Sequence, residues 1–93
     1  MNKSDLKQGA LVQTRNENAY ILIGKKFVNL RDGGYMPLEK YNEDLLTRYS
    51  EYDVMKVLNS SFENHGYHTY INNRRYGYPL KWTWERKEEE PRQ

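Results

Sequence analysis

The side chains best suited to binding a partner lie close together between residues 59 and 79. They are tyrosines and arginines: Tyr67, Tyr70, Arg74, Arg75, Tyr76 and Tyr78. Arginine contacts phosphate or carboxylate groups through a planar fork, and tyrosine stacks on nucleic-acid bases. Both residue types are also enriched at the energetic centres of protein–protein interfaces. We therefore predict a partner-binding surface made of these six residues; the alternative is that the tyrosines pack within the segment and the arginines are solvated.

The two histidines, His65 and His68, do not amount to a metal site. A zinc site needs three or four protein ligands, and the chain contains no cysteine. A third ligand would have to be a distant carboxylate, such as Glu63 or Asp53. The sequence therefore predicts no metal and no cofactor.

No catalytic motif stands out in the sequence. The chain contains no Gly-x-Ser-x-Gly elbow, no P-loop and no Gly-x-Gly-x-x-Gly fingerprint. Glu51 and Asp53 are neighbours in sequence, but the pattern predicts no apolar pocket around them of the kind that prepares a carboxyl group for acid–base catalysis. We therefore expect a protein that is not an enzyme.

Length and composition are those of one small domain. Ninety-three residues suit a single domain, which we place at residues 1–87, with a charged, flexible tail at 88–93. The mean hydropathy is −1.12, so the few apolar residues must converge on one core. The nine tyrosines can supply part of that core, because each aromatic ring buries a large area.

Several function classes are disfavoured by what the sequence lacks. Without cysteine, a disulfide-stapled secreted protein is not expected, and an intracellular setting is favoured. No apolar run approaches the roughly 18 residues of a membrane span, and no signal-peptide pattern follows Met1. A net charge of +2 is too small to indicate nucleic-acid binding by itself, because dedicated binders usually show a clustered basic face.

The elements that would carry the surface are predominantly strands. Five short β-rich runs occupy residues 11–15, 19–23, 26–30, 35–38 and 52–58. Tight-turn residues separate the first four, and Asp32-Gly33 is a strong hairpin signal. Five closely spaced strands predict a small SH3-like barrel, a fold that leaves no exposed sheet edge.

Three further elements complete the prediction. Asn42 could cap a short helical turn within residues 42–49; the alternative for this segment is a structured loop. Residues 59–79 would form an inserted, aromatic-rich hairpin that turns at Asn72-Asn73. The strict alternation after residue 79 would place Leu80, Trp82 and Trp84 on one strand face, either in the core or at an interface.

Several short motifs carry a resemblance to known proteins. They are Ser4-Asp5-Leu6-Lys7-x-Gly9, Val12-x-x-Arg15-Asn16, Tyr20, Tyr41-Asn42-Glu43-Asp44-Leu45, Asp53-Val54-Met55-Lys56-Val57 and Trp84-Glu85-Arg86. In order and spacing the chain resembles a group of small proteins encoded by phages and prophages of Firmicutes. The likeness covers roughly residues 4–58 and 84–87, so the segment 59–79 is where this chain departs from the group. The resemblance implies a phage or prophage source and a small barrel, but no activity.

The resemblance also suggests a class of function. Small phage proteins that are not enzymes often bind host proteins and inhibit host defence systems, CRISPR nucleases among them. We therefore expect a cytoplasmic protein of a bacterial host cell whose partner is a host protein, with defence inhibition (an anti-CRISPR activity, for example) as its role. The alternatives are a nucleic-acid-binding SH3-like module and a structural or assembly protein that self-associates through Trp82 and Trp84.

Overall fold

One antiparallel sheet organises the molecule. The computed structural model describes residues 1–59 and 65–87. Its strands are β1 (Leu11–Thr14), β2 (Ala19–Ile23), β3 (Lys26–Asn29), β4 (Tyr35–Pro37), β5 (Val54–Leu58) and β6 (Trp84–Glu85). Their order across the sheet is β4-β3-β2-β1-β5-β6, with each neighbouring pair antiparallel. The predicted mainly-β class and the five predicted strands are confirmed.

Helical structure is limited in the described residues. One α-helix, α1, runs over His65–Tyr76, and short 3₁₀ turns occupy Lys3–Asp5, Leu38–Lys40 and Ser50–Tyr52. None of the helices found within residues 1–59 and 65–87 is long and apolar enough to cross a membrane. The tail predicted at 88–93 and the part of the inserted segment at 60–64 lie outside the described residues.

Each face of the sheet carries a buried cluster. Neighbouring residues of a strand point to opposite sides, so the same strands contribute to both clusters. One face carries the larger cluster of buried side chains: Ala10, Val12, Tyr20, Leu22, Phe27, Tyr41, Leu45, Val54 and Val57. Leu11, Ile21 and Leu58 form a smaller buried cluster on the other face. Tyr70 of α1 packs against this smaller cluster, together with Leu80 and Trp82.

The sheet does not close into the predicted barrel. β4 and β6 stand at opposite ends of the strand order, and no pairing joins them among the residues that the structure describes. Both are short, with three and two residues, and Pro37 in β4 lacks the N–H that a further pairing would need. The segment with Tyr41 and Leu45 covers one face and α1 covers the other, so the faces are buried by coverage rather than by closure.

The hairpin predicted for residues 59–79 is wrong, because the described part of this segment forms α1. The expected turn residues Asn72 and Asn73 lie inside the helix. The helix ends at a left-handed glycine, Gly77 (φ +72°), whose N–H donates to the carbonyl of Asn73 at 2.9 Å. A glycine in this conformation is common just after the end of a helix. The aromatic residues of the segment favoured the prediction of strands, so a helix ending at Gly77 was not predicted.

The helical turn predicted within residues 42–49 is also not observed. Asn42 does hydrogen-bond to following N–H groups, since its side-chain oxygen accepts from Asp44 at 2.8 Å and from Leu46 at 3.1 Å. The chain then takes a left-handed conformation at Leu45 (φ +61°). That conformation directs the Leu45 side chain into the core, where it is fully buried, so burial overrides helix continuation.

Trp82 and Trp84 lie on opposite faces of the sheet, so their predicted common face is wrong. Trp84 packs against the larger cluster and Trp82 against the smaller one. The reason is that β6 begins only at Trp84, and the alternation rule does not hold for the irregular chain before it. Thr83 lies between the two tryptophans and is attached to β5, since its N–H donates to the carbonyl of Val57 at 2.8 Å.

Tyr41 is a buried polar member of the larger cluster. It is 3% exposed, and its hydroxyl donates to the carbonyl of Tyr52 at 2.7 Å. Burial raises the pKa of this phenol far above its usual value, with smaller contributions from Tyr20, Asp53 and Tyr52. The folded protein therefore retains the Tyr41 proton at a pH at which the unfolded chain loses it.

This retention predicts a loss of stability at alkaline pH. Above about pH 10, the ordinary pKa of tyrosine, unfolding releases the Tyr41 proton, so the free energy of unfolding falls as pH rises. Tyr41→Phe should cost about 1 kcal/mol at neutral pH through the lost hydrogen bond and should remove this contribution to the pH dependence. Urea unfolding from pH 7 to alkaline pH would show the gap between wild type and variant narrowing. A constant gap would contradict the prediction, and Tyr35→Phe, at a 62% exposed tyrosine, is the control.

Candidate functional site

Helix α1 is seated directly on the backbone of the sheet at its first turn. A Cβ atom added to Gly66 would lie 2.6 Å from the carbonyl oxygen of Gly9 and 3.0 Å from the backbone nitrogen of Leu11. Only glycine permits so close an approach. One turn further, Tyr70 packs on the smaller buried cluster. These two residues determine how α1 presents its remaining side chains.

The structure divides the six predicted site residues into three environments. Tyr70 and Arg74 line a polar pocket between α1 and the sheet. Tyr67 lines an apolar groove on the other side of the helix start. Arg75, Tyr76 and Tyr78 are exposed at the end of the helix. All six lie on α1 or within the two residues after it.

The polar pocket, of about 490 Å³, is lined by side chains from several parts of the chain. Those that could contact a ligand include Gln13, Asn18, Arg31, Tyr70, Arg74 and Trp82. The Arg74 guanidinium lies 5.8 Å from the centroid of the Tyr70 ring and donates to the Tyr70 hydroxyl oxygen at 3.2 Å. Within the described ranges, neither Arg31 nor Arg74 pairs with a carboxylate. The pocket therefore carries two charges without a carboxylate partner.

The apolar groove, of about 400 Å³, runs beside Tyr67 over the end of β2. Ile21, Ile23 and Leu30 contribute its apolar walls. Ile23 is 53% exposed and Tyr67 is 45% exposed, so the groove is open to solvent. Its lining provides apolar contact area but no charged group.

The exposed end of α1 presents a pair of aromatic rings. The Tyr76 and Tyr78 rings lie 5.4 Å apart, and the two residues are 62% and 59% exposed. The left-handed Gly77 between them sets the chain direction, and the Asn73 side-chain amide donates to the carbonyl of Tyr78 at 2.6 Å. Local contacts thus fix the backbone that carries the two rings, and neither ring packs in a buried cluster.

Helix α1 has positively charged residues but no acidic ones. It contains no aspartate or glutamate, and Arg74 and Arg75 lie in its last turn. Cations at this end also interact favourably with the helix dipole. The β3–β4 turn adds Arg31, whose N–H is anchored by the Asn29 side-chain oxygen at 2.7 Å. The surface around the end of α1 is therefore positively charged.

No known protein family, curated protein or solved structure matches the chain. The function must therefore be argued from the geometry of these surfaces.

Sequence reasoning missed residues that come from outside the segment 59–79. The sequence pattern places Arg31 only beside the predicted Asp32-Gly33 turn and Trp82 only on a strand face. In the structure both line the polar pocket with Tyr70 and Arg74. The one local signal was their residue type, because arginine and tryptophan are common at binding sites. Their convergence depends on the helix position, which the sequence pattern did not predict.

A second groove, missed by sequence reasoning, lies beside the larger cluster. It measures about 470 Å³, and Met36, Arg48, Tyr49 and Tyr52 contribute to its lining. The Arg48 guanidinium lies 5.5 Å from the centroid of the Tyr49 ring. This arginine–tyrosine pair resembles Arg74 and Tyr70 in type and stands away from α1, which makes it useful as a control.

The acidic residues considered for catalysis are not arranged as a site. Asp53 is fully buried and forms an ion pair with Arg15, whereas Glu51 is exposed. Across residues 1–59 and 65–87 there is no group of three His, Cys, Asp or Glu residues that could hold a metal ion.

Proposed function

We propose that this chain is a non-enzymatic binding protein, of phage or prophage origin, that contacts a host protein through the surface around α1. The observation that carries the proposal is the exposure of Tyr67, Tyr76 and Tyr78 beside Arg74 and Arg75. Aromatic residues and arginine are the types that dominate binding energy in interfaces. Exposed clusters of such residues often mark interaction sites.

The fold has no evident need for these side chains at the surface. Tyr76 and Tyr78 belong to neither buried cluster, so their rings are not used to stabilise the sheet. The backbone that carries them is nevertheless fixed by Gly77 and by the hydrogen bond from Asn73. Contact residues on an ordered backbone lose less conformational entropy on binding than those on a flexible one, which supports a contact role.

The partner that suits this surface has an apolar patch bordered by acidic groups. The absence of acids from α1 and the presence of Arg74 and Arg75 favour a negatively charged counterpart. Together with the resemblance to phage and prophage proteins, this supports a host protein in the bacterial cytoplasm as the target. Inhibition of a defence system, such as a CRISPR nuclease, is the role that we propose for the complex.

We also propose that the sheet is an open form of the SH3-like architecture. The support is the run of five short antiparallel strands in the order β4-β3-β2-β1-β5, with the 3₁₀ turn Ser50–Tyr52 directly before β5. Self-association through the two tryptophans receives less support, because Trp82 and Trp84 each pack against a buried cluster of their own chain.

The test is affinity capture from a Firmicute host lysate, with and without nuclease treatment, using matched variants. We expect wild type to retain one stoichiometric protein and the triple variant Arg75→Ala, Tyr76→Ala, Tyr78→Ala to lose it, because the exposed ring pair and charge are removed. Tyr35→Ala is the control, since Tyr35 is as exposed as Tyr76, at 62%, but lies on β4. Retention by the triple variant would refute the surface, and a partner that disappears with nuclease would refute the protein target.

A further inference from the structure

The polar pocket brings two arginines together from different parts of the chain. Arg31 comes from the β3–β4 turn and Arg74 from the last turn of α1, and both are exposed. Neither has a carboxylate partner among the described residues, and the one acidic residue in the pocket lining is Glu17. Two guanidiniums against one carboxylate give the lining a net positive charge. The pocket is therefore suited to an anionic group.

The rest of the lining is aromatic and amidic rather than simply basic. Tyr70 and Trp82 are half-buried and packed against the smaller cluster, so their rings are held in place. Gln13 and Asn18 contribute side-chain amides, each with hydrogen-bond donors and acceptors. The Gln13 amide makes only a long contact, 3.5 Å to the carbonyl of Glu17, and is available to a ligand.

We propose that this pocket binds single-stranded nucleic acid, with Arg31 and Arg74 each on a different backbone phosphate and a base against the aromatic and amide lining. Such a base is recognised by stacking on aromatic rings and arginine planes and by hydrogen bonds to its edges. The Arg74 guanidinium lies over the Tyr70 ring and so presents a preformed surface of this kind.

The choice of ligand follows from the complete lining. An acidic side chain of a protein would use the two arginines and leave the rings and amides unmatched, whereas a nucleotide unit matches all three. The volume of about 490 Å³ lies within the range of ordinary ligand pockets. A base paired inside a duplex cannot enter a pocket, so the ligand must be unpaired.

Binding should depend on salt in a way that identifies the two arginines. For single strands, each neutralised phosphate contributes about −0.7 to the slope of log K against log salt. Two arginine contacts therefore contribute about −1.4. We expect Arg31→Ala and Arg74→Ala each to flatten the slope by about 0.7 and to weaken binding at low salt about tenfold.

The measurement is fluorescence anisotropy with a short fluorescein-labelled oligouridylate over a range of NaCl concentrations. Arg48→Ala is the matched control, because Arg48 is an exposed arginine beside a tyrosine on the other groove; it should leave both slope and affinity unchanged. No binding at low salt, or equal effects of Arg31→Ala and Arg48→Ala, would overturn the proposal. Displacement of the probe by a polyglutamate peptide at equal concentration would also overturn it, in favour of an acidic protein ligand.

A second readout locates the bound oligonucleotide. The chain has two tryptophans, so the variant Trp84→Phe leaves Trp82, in the pocket lining, as the only indole. Unlabelled oligouridylate should quench its fluorescence, and Arg31→Ala should reduce that quenching; unchanged fluorescence during saturating binding would refute the site. This inference goes beyond the host-protein proposal. The two proposals can fail independently, because the triple variant that tests the protein partner leaves Arg31 unchanged.

Discussion

Replacing Gly66 by alanine should detach α1 from the sheet while the sheet itself stays folded. The added Cβ would meet the carbonyl oxygen of Gly9, just before β1, at 2.6 Å and the backbone nitrogen of Leu11 in β1 at 3.0 Å. Backbone atoms cannot move aside as a flexible side chain can. Overpacking of this kind typically costs about 1–3 kcal/mol, and sometimes more. Among the described residues, Tyr70 is the side chain of α1 that packs against a buried cluster. We therefore expect the cost to appear as local release of α1 before global unfolding.

Whether Gly66→Ala stabilises or destabilises α1 distinguishes a steric clash with the sheet from an ordinary change in helix propensity. In a solvated helix, alanine is about 1 kcal/mol more favourable than glycine, so Gly66→Ala would stabilise α1 if the helix did not touch β1. Hydrogen exchange should show lost protection in α1 and retained protection in β1 and β2. Asn72→Ala, at an exposed position of the same helix, is the control and should preserve protection. Increased protection of α1 in Gly66→Ala would contradict the observed contact.

Release of α1 would also test whether the candidate surfaces depend on the fold. Tyr70 and Arg74 line the polar pocket only while α1 lies on the sheet. The Tyr76 and Tyr78 pair, by contrast, is ordered by Gly77 and Asn73 within its own segment. Gly66→Ala should therefore abolish oligouridylate binding more completely than it weakens capture of a protein partner.

The strands could be predicted because their signals are local. The turn at Asp32-Gly33 and the five-residue apolar run of β2 are sufficient to place β2, β3 and β4. The face of each β5 residue could not be predicted, because the pairing with β1 shifts register between Gln13 and Thr14. This irregularity lets Val54 and Val57 enter the same cluster, which strict alternation forbids.

The helix and the composition of the site depend on tertiary contacts, so sequence patterns could not supply them. α1 is polar and weakly amphipathic, and what holds it in place is the approach of Gly66 to β1 and the packing of Tyr70. The density of Tyr and Arg is sufficient to propose the candidate surface, whose role in binding stays a prediction. Its division into a pocket, a groove and an exposed end could not be predicted, because the pocket also requires Arg31 from a distant turn.

The second large effect concerns Asp53, the most completely buried acid of the described residues. Its side chain is 0% exposed, and its carboxylate lies 3.2 Å from the Arg15 guanidinium. The other carboxylate oxygen accepts the N–H of Thr47 at 2.9 Å, while Arg15 also donates to the carbonyl of Ser50 at 3.0 Å. The ion pair thus connects the end of β1 to the chain on both sides of the 3₁₀ turn before β5.

Removing one partner should destabilise the protein strongly. Arg15→Ala leaves a buried carboxylate without its ion-pair partner, and such losses cost about 3–5 kcal/mol. Asp53→Ala should cost about 2–4 kcal/mol, because it removes the carboxylate that accepts the Thr47 N–H, while the partly exposed Arg15, at 23%, can still reach water. Asp53→Asn keeps an acceptor for Thr47 and should cost less than Asp53→Ala. Small domains have about 5–15 kcal/mol in total, so these variants approach the limit of folding.

A double-mutant cycle in urea distinguishes a true pair from two independent contributions. The double variant Arg15→Ala, Asp53→Ala should lose less stability than the sum of the two single variants, by about 1–3 kcal/mol, since each single variant already breaks the same interaction. The matched comparison is Lys56 with Glu85, a pair 3.4 Å apart but 40% and 59% exposed, whose coupling should not exceed about 0.5 kcal/mol. Strict additivity at Arg15 and Asp53 would mean that burial of the carboxylate, rather than its pairing with the guanidinium, governs the stability of this junction.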